Sequence, residues 1–395
     1  MPALKNERIS NNTNTMQPVI CIVGARPNYM KMAPILRALG NHSPPIPFLL
    51  VHTGQHYDKD MNDRLFEDLN LPRPDINLEV GSATHAVQTA EVMRRFEPVL
   101  DQHKPSCVLV VGDVNSTLAC ALVASKKGIP VAHVEAGLRS YDKRMPEEIN
   151  RILTDQIADR LYTTERSAQE NLRLEGIPAQ RVSFVGNVMI DSLVASRSAA
   201  RNPEHTLRES GFDPAVLNGV HGYGVVTLHR PSNVDSPETL RKILEILAEV
   251  ALQIPLVFAL HPRTRANLDR FELADLIRPE RMLLLPPQGY LEMLGLMASA
   301  KLVLSDSGGL QEETTALGVP CLTLRENTER PITVDQGTNI LVGSDREAIS
   351  RGVREILAGR GKNGRLPELW DGRAAERIAA DLWDWLASPA LGRVN

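Results

Sequence analysis

The stretch CVLVVGDVNSTLACALVASKKGIPVAHVE at residues 107–135 indicates the fold class. Its first and last parts, CVLVVGD (107–113) and VAHVE (131–135), are continuous apolar runs of the kind that form buried strands. Between them, residues 116–128 have the length and composition of a helix. Continuous apolar strands joined by helices are typical of parallel sheets with helices on both faces, so we predict an α/β protein.

The same alternation extends over most of the chain. Ahead of this stretch, PVICIVG and PFLLVHTG predict strands at 18–24 and 47–54. Helical spacing predicts a helix at 29–39, closed by Gly40, and another at 85–105. After a polar interval the alternation restarts and predicts a second series of strands, at 224–229, 255–261, 282–287, 302–307 and 320–325.

The 395 residues suit two domains of ordinary size. The two series of strands predict two Rossmann-like domains with parallel sheets, one at 17–195 and one at 196–372. The polar residues 1–16 lack the apolar stretch of a signal peptide and predict a disordered tail. Residues 373–395 contain an amphipathic helix, predicted at 373–387, which we expect to cross back onto the first domain.

Composition excludes several classes of protein. With 44 Lys and Arg against 48 Asp and Glu, the formal net charge is −4, so there is no basic excess for nucleic acid. No apolar run approaches the roughly 18 residues that a membrane-spanning helix needs. The 4 cysteines lack the spacing of a metal site, which predicts reduced thiols in a cytoplasmic protein. No predicted strand is followed by a dinucleotide fingerprint, and no Walker sequence occurs, which argues against NAD and ATP hydrolysis.

The motif SDSGGLQEE (305–313) is the most informative one in the second half. A strand ends here and a helix begins, which places at the helix N-terminus Ser307, Gly308 and Gly309. Free N–H groups and the helix dipole bind phosphate at such a position. Glu313, about one turn further, is then expected to reach a ribose diol. The alternative is an ordinary strand–helix turn with a serine cap.

Other strand ends of the second half also carry groups that bind anions. TLHR ends with His229 and Arg230, which we expect to point into a cleft at the carboxyl ends of the strands. ALHPRTR adds His261, and ENTERP adds Arg330 in a loop. Together these predict a site for a nucleotide diphosphate. The alternatives are that His229 caps a following helix and that Arg330 is a solvated surface residue.

Three acidic residues stand at special places in the first half. Asp113 and Glu135 each end a predicted strand, and Glu147 follows a proline at a helix start. Adjacent parallel strands bring Asp113 and Glu135 to one rim, where clustered carboxylates serve as acid–base groups. The alternatives are that Asp113 caps a helix, that Glu147 complements a helix dipole and that Glu135 pairs with Arg139.

Two cations lie near the end of the first predicted strand. Arg26 directly follows the strand, and Lys31 lies on the helix behind it. Two cations at such a place suit a diphosphate leaving group. The alternative is a helix start that carries an incidental arginine.

Taken in order, these motifs make the chain resemble the non-hydrolysing UDP-N-acetylglucosamine 2-epimerases. The resemblance covers about residues 18–343 and rests on GARPNYMK, HTGQHYD, GDVNSTLA, HVEAGLRS, MPEEINR, TLHR, SDSGGLQEE and LRENTERP. It implies the GT-B fold, with the active site between two Rossmann-like domains. It also implies interconversion of UDP-GlcNAc and UDP-ManNAc without metal or redox cofactor, a homodimer and a place in polysaccharide biosynthesis.

The resemblance implies roles for particular residues. The acid–base candidates are Asp113, Glu135 and Glu147, together with His229. The diphosphate falls at Arg26, His229, Ser307, Gly308 and Gly309. Glu313 falls at the ribose, Gln288 on the uracil side, and Lys31 and Arg330 in the cleft.

Some positions depart from the family pattern. Asn28 stands where many relatives have Glu, and Met293 where relatives have an aromatic residue at the uracil face. Tyr57 and Asp58 stand where activated relatives present Arg, so we expect weak or absent activation by UDP-GlcNAc. Alternative functions are epimerisation of UDP-2,3-diacetamido-2,3-dideoxyglucuronate and sugar transfer by a GT-B glycosyltransferase.

Overall fold

The computed structural model describes residues 16–54 and 66–388. The predicted disordered tail, except for Met16, lies outside the described residues, and so do Tyr57 and Asp58. No helix among the described residues is long and apolar enough to span a membrane.

In the described part of the first half, seven parallel strands form one sheet in the order β3-β2-β1-β4-β5-β6-β7. Strands β1 and β4 at its centre are fully buried because their side chains are apolar on both faces. In chain order the strands are β1 (Val19–Val23), β2 (Phe48–His52), β3 (Ile76–Asn77), β4 (Cys107–Val111), β5 (Val131–Ala136), β6 (Arg160–Thr163) and β7 (Val182–Phe184).

Helices cover both faces of this first sheet. They are α1 (Arg26–Asn41), α2 (His85–His103), α3 (Asn115–Lys126), α4 (Pro146–Ile157), α5 (Arg166–Leu174) and α6 (Val188–Ser196). The prediction that Gly40 closes the first helix is wrong, since α1 continues through it to Asn41. A glycine costs a helix only about 1 kcal/mol, and the backbone N–H of His42 closes the last turn onto Leu39.

In the second half, the described residues form a six-stranded parallel sheet in the order β10-β9-β8-β11-β12-β13. The strands are β8 (Gly224–Thr227), β9 (Leu256–Ala259), β10 (Met282–Leu285), β11 (Leu302–Ser305), β12 (Cys321–Thr323) and β13 (Asn339–Leu341). Both sheets place a central strand pair where the strand order reverses, which is where open α/β sheets bind ligands. The predicted fold class, two parallel-sheet α/β units of the GT-B type, is confirmed.

The remaining helices surround the second sheet, apart from the last one. They are α7 (Pro203–Glu209), α8 (Pro231–Val234), α9 (Pro237–Ala251), α10 (Pro262–Arg270), α11 (Tyr290–Ala298), α12 (Gly308–Leu317), α13 (Pro331–Asp335), α14 (Arg346–Leu357) and α15 (Ala374–Ala387). Short 3₁₀ turns lie at 179–181, 197–199, 214–218 and 274–276.

The last helix, α15, packs against α1 of the first half. Asp191 of α6 fixes its start, since the carboxylate accepts from Ala374 N at 3.1 Å and from Ala375 N at 2.6 Å. Further along α15, Arg160 Nε of β6 donates to Asp381 Oδ2 at 2.7 Å. The exact domain boundaries that we propose from the sequence stay predictions.

Candidate active site

Glu135 lies at the carboxyl end of β5, in a left-handed backbone conformation with φ of +72°. The pairing of β5 with β6 shifts register between Val134 and Ala136, which marks a bulge at this residue. The side chain is buried and contacts two cations. Lys31 Nζ lies 2.7 Å from Oε1 and 2.6 Å from Oε2, and Arg330 Nη2 lies 3.1 Å from Oε1.

The alternative that Glu135 pairs with Arg139 is wrong. Arg139 lies beyond the bulge, and its guanidinium is held by two other carboxylates. Its Nη2 lies 2.7 Å from Asp155 Oδ2, and its Nε donates to Glu175 Oε1 at 2.7 Å. The bulge at Glu135 therefore separates a structural ion cluster from the cations of the cleft.

Arg330 joins the two halves of the chain. Besides Glu135, its guanidinium contacts two carboxylates of the second half, with Nε 3.0 Å from Glu312 Oε1 and Nη1 3.4 Å from Glu329 Oε1. Only 6% of the residue is exposed, so the alternative of a solvated surface arginine is wrong.

The two carboxylates beside Arg330 differ in how readily they ionise. Burial raises the pKa of Glu312, and the charge of Glu135 raises it further against the opposing effect of Arg330. Burial also acts to raise the pKa of Glu329, but Arg330, Arg325 and Arg230 together bring it well below its usual value. The cluster therefore contains one carboxylate held firmly ionised and one that resists ionisation.

Asp113 lies two residues after the end of β4, and β4 pairs in parallel with β5, so Asp113 and Glu135 share the rim that the sequence predicts. Its carboxylate accepts a hydrogen bond from Arg151 Nη2. Burial acts to raise the pKa of Asp113, but the charges of Arg151, Lys31 and Arg330 outweigh it and lower the pKa. The cations that hold Glu135 thus also favour an ionised Asp113.

The third acidic candidate, Glu147, lies in the first turn of α4 and is half-buried. Within the described ranges it makes no ion pair or hydrogen bond, and no contact joins it to Asp113 or Glu135. Its neighbour Glu148 is buried instead and is fully engaged by backbone and side-chain donors. Asp113 and Glu135 are therefore linked by the charges of Lys31 and Arg330, which contact Glu135 and lower the pKa of Asp113.

The N-terminus of α12 lacks the serine cap that the alternative interpretation requires. Ser307 is the N-cap residue, but its side chain makes no capping hydrogen bond. The first N–H groups of this ten-residue helix therefore remain without that partner, as an anion site requires. Glycine is required at position 308, since a Cβ atom there would lie 2.7 Å from Glu329 Oε1.

His229 is oriented by Asp306, a buried residue in SDSGG that the sequence analysis does not single out. The Asp306 carboxylate accepts from the backbone N–H groups of His229 at 3.1 Å and Arg230 at 2.9 Å, and lies 3.1 Å from His229 Nδ1. Burial acts to raise the pKa of Asp306, but its contacts with His229 lower it. The His229 side chain is 34% exposed and does not cap the following helix, α8. The alternative that His229 is a capping residue is therefore wrong.

The strand end at His261 has a structural role. The His261 ring caps α10 by accepting from Arg263 N at 3.2 Å. Arg263 Nε in turn donates to Asp235 Oδ1 at 2.7 Å. Three strand ends are predicted to bind anions, in SDSGGLQEE, TLHR and ALHPRTR. The last of them is therefore engaged by contacts within the chain.

The other predicted binding residues occupy varied positions. Glu313 is buried against Tyr290, whose pKa is raised by burial and by the nearby Glu313 carboxylate. Gln288 is half-buried and donates from Nε2 to Pro286 O at 2.8 Å. Met293 lies on α11 and is buried in the core of the second half. Arg26 begins α1, but its side chain lies outside the described part of the structure.

Asn28, where many relatives carry Glu, has a local structural role. Its side-chain oxygen accepts from Ala25 N at 3.1 Å, and its nitrogen donates to Val111 O at 2.9 Å. It thereby fixes the start of α1 against the end of β4. No group of three or more potential metal ligands is present among the described residues.

A cavity of about 390 Å³ lies away from this cluster, beside the loop at 359–364. The letters of that loop, GRGKNG, match GxGxxG, but the loop follows the helix α14 and no strand precedes it. Packing within the chain explains its last glycine, since a Cβ on Gly364 would lie 2.5 Å from the backbone of Gly337. The loop therefore lacks the context of a dinucleotide site.

Two parallel-sheet α/β units with an ionisable cluster at the strand ends between them define a GT-B-like protein. Comparison with known families is more specific: residues 39–382 match the family described as UDP-N-acetylglucosamine 2-epimerase. The chain belongs to this family.

Individual relatives are similar to this chain over nearly its whole length. The chain is 44% identical to the UDP-N-acetylglucosamine 2-epimerase of Methanocaldococcus jannaschii, covering 90% of this chain and 96% of that protein. The crystal structure of the M. jannaschii UDP-GlcNAc 2-epimerase in complex with UDP-GlcNAc and UDP matches with a TM-score of 0.80 and 42% identity. That match covers 93% of this chain and 99% of the other. The UDP-2,3-diacetamido-2,3-dideoxy-D-glucuronate 2-epimerase of Pseudomonas aeruginosa is 41% identical, over 86% of this chain and 92% of that protein.

Glu165, at the start of α5, gives a pH-dependent prediction. It is buried, and burial together with the charges of Glu312 and Asp335 raises its pKa from 4.5 to about 7. A carboxyl whose pKa is raised on folding contributes stability at low pH that is lost as the pH rises towards the folded value. We expect Glu165→Gln to match wild type below about pH 4 and to be on the order of 2–3 kcal/mol more stable at pH 8 in urea unfolding.

Glu170→Gln on the same helix is the matched control, because Glu170 is exposed and pairs only with Arg173 among the described residues. It should show no gain that grows with pH. An equal free energy of unfolding for Glu165→Gln and wild type at pH 8 would contradict the interpretation.

Proposed function

We propose that this chain is a non-hydrolysing epimerase that interconverts UDP-GlcNAc and UDP-ManNAc. The observation that carries the proposal is the buried carboxylate of Glu135, held by Lys31 from the first half and by Arg330 from the second. The family membership and the agreement with epimerases over nearly the whole chain support the same reaction.

The substrate limits the possible chemistry. C2 of the sugar bears an acetamido group and has no neighbouring carbonyl, so simple enolate chemistry is closed to it. We propose elimination: a base takes the C2 proton, the C2–H electron pair becomes the C1–C2 double bond, and the C1–O pair leaves with UDP. Re-addition of UDP to the 2-acetamidoglucal, with a proton delivered to the other face of C2, completes the epimerisation.

The residues fit two tasks in this scheme. Proton transfer falls to the first half with Asp113, Glu135 and Glu147, with His229 opposite. Departing UDP requires positive charge and helix N–H groups, which we assign to Lys31, Arg26, Arg330, Ser307, Gly308 and Gly309. We further assign the ribose to Glu313 and the uracil side to Gln288.

One second candidate has a specific observation in its favour. The P. aeruginosa relative named as a UDP-2,3-diacetamido-2,3-dideoxy-D-glucuronate 2-epimerase is nearly as similar as the M. jannaschii enzyme. The same elimination would serve that substrate, so the two candidates differ in the sugar and not in the chemistry.

The proposal also includes the oligomeric state and the cellular compartment of the protein. We infer a homodimer from the family resemblance. We infer the cytoplasm because the four cysteines are all buried and free, which suits a reducing compartment.

The direct test is incubation with UDP-GlcNAc as sole substrate in deuterium oxide. We expect UDP-ManNAc to form and both nucleotide sugars to gain deuterium at C2, because the proton on C2 exchanges in each turnover. Mass spectrometry and proton NMR measure both results. A parallel reaction with UDP-2,3-diacetamido-2,3-dideoxyglucuronate compares kcat/KM for the second candidate.

Other outcomes separate the alternatives. Release of free ManNAc would indicate a hydrolysing enzyme, and turnover that requires an added sugar acceptor would indicate a glycosyltransferase. A higher kcat/KM on the diacetamido sugar would replace UDP-GlcNAc as the substrate. UDP-ManNAc formed without deuterium at C2 would contradict the elimination.

The division of tasks predicts two kinds of variant. Asp113→Asn should lower kcat by about 10²–10⁴-fold and largely keep UDP affinity, because acid–base groups act on the sugar. Ser307→Ala should weaken UDP binding by about 10–100-fold, since a hydrogen bond to a charged group contributes about 1.5–3 kcal/mol. Calorimetry with UDP and steady-state kinetics measure the two effects.

Ser236→Ala is the matched control for Ser307, because Ser236 is the N-cap residue of α9, another helix of the second half, and its side chain caps Thr239 N. It should leave UDP affinity unchanged. Equal UDP affinity in the Ser307 and Ser236 variants would move the diphosphate away from α12.

A further inference from the structure

Helix α4 holds Asp113 through two consecutive residues. Asn150 Nδ2 donates to the backbone carbonyl of Asp113 at 2.9 Å, and Arg151 Nη2 donates to its carboxylate. Arg151 is only 3% exposed. Both the backbone and the carboxylate of a proposed acid–base residue are thus fixed by one turn of helix.

Arg151 is itself fixed by Glu148, one turn earlier on α4. Arg151 Nη1 donates to Glu148 Oε2 at 3.0 Å. The same carboxylate accepts from Ser140 N, Ser140 Oγ and Tyr141 N, each at 2.9 Å. Glu148 is 1% exposed, so its carboxylate is buried by the loop after β5 and is not open to a ligand.

The two adjacent glutamates of MPEEINR therefore have different environments. Glu147 is half-buried and remains a candidate for proton transfer, whereas Glu148 is a buried anchor. The three-residue spacing of Glu148 and Arg151 places them on one face of α4, where they meet.

We propose that Glu148 and Arg151 form a positioning pair: Glu148 fixes the guanidinium of Arg151, and Arg151 fixes the carboxylate of Asp113 for its part in the reaction. The inference rests on the proposed function in assigning Asp113 to proton transfer. Both members of the pair are buried, so we assign them an action through Asp113 and not a contact with the substrate.

The charges around Asp113 show what the pair does besides orientation. Lys31 comes from α1, Arg330 from the loop before α13, and Glu135 from β5, where it is held by the same two cations. Glu329 faces Arg151. Burial acts to raise the pKa of Asp113, and Arg151 is the foremost of the cations that oppose it. Arg151 therefore keeps Asp113 ionised in a place where burial favours the neutral acid.

The test compares the pH dependence of kcat/KM for UDP-GlcNAc in variants of each member. Arg151→Met removes the cation, so the acidic limb should move up by about one pH unit or more. Glu148→Gln removes an anion and keeps the Arg151 charge, so the limb should not move up, although looser positioning should lower kcat about tenfold. A general loss of structure would move both profiles in the same direction.

Two further variants keep the test decisive. Arg151→Lys retains the charge but not the two-pronged geometry, so kcat should fall while the acidic limb stays near its wild-type position. Arg144→Met is the matched control, because Arg144 is an exposed partner of Asp142 in the loop just before α4. It should behave as wild type. Thermal unfolding of each variant shows whether it folds.

A second readout does not depend on turnover. Carboxyl carbon NMR of aspartate-labelled protein, with Asp113→Asn to assign the resonance, measures the ionisation of Asp113 directly. The Asp113 titration should move up in Arg151→Met and not in Glu148→Gln. If the wild-type protein does not convert UDP-GlcNAc, the proposed function alone is overturned. If the titration of Asp113 in Arg151→Met is the same as in wild type, the positioning pair is overturned.

Discussion

The buried guanidinium of Arg330 makes the central interaction of the structure. On one side it meets Glu135 at the end of a strand in the first sheet, and on the other it meets Glu312 and Glu329 of the second half. A guanidinium that loses its water is tolerated only where carboxylates and hydrogen bonds compensate it. The charge of Arg330 is therefore compensated by carboxylates of both halves. If the halves separated, the guanidinium would lose its contact with Glu135.

This contact also unites the two parts of the proposed chemistry. Arg330 and Lys31 hold Glu135, and the same two cations help to keep Asp113 ionised. A departing nucleoside diphosphate in this place would meet fixed positive charges within a site of low dielectric constant, where their effect is larger than in water. The same arrangement thus suits both a carboxylate that must remain charged and a leaving group that gains charge.

The sequence predicts the features that depend on local pattern. Asp113 and Glu135 are identifiable because an apolar run ends at each, and neighbouring parallel strands place such ends side by side. The partners of Arg330 within the second half are not, because Glu312 lies within a helix and its burial depends on a half of the chain far away in sequence. Asp306 is missed for a related reason: its role is to orient His229, and only the pairing of β8 with β11 brings them together. The sequence does not predict a strand as short as β3, because only its hydrogen bonds to the neighbouring strand β2 define it.

The most direct test of this account is a double-mutant cycle between the two halves, with Glu135→Gln, Arg330→Met and the double variant. The quantity measured is the free energy of unfolding in urea. A contact between buried charges predicts that the effects of the two substitutions do not add, with a coupling of about 1–3 kcal/mol. Effects that add to within about 0.5 kcal/mol would show that Arg330 and Glu135 do not stabilise one another, and would contradict the account.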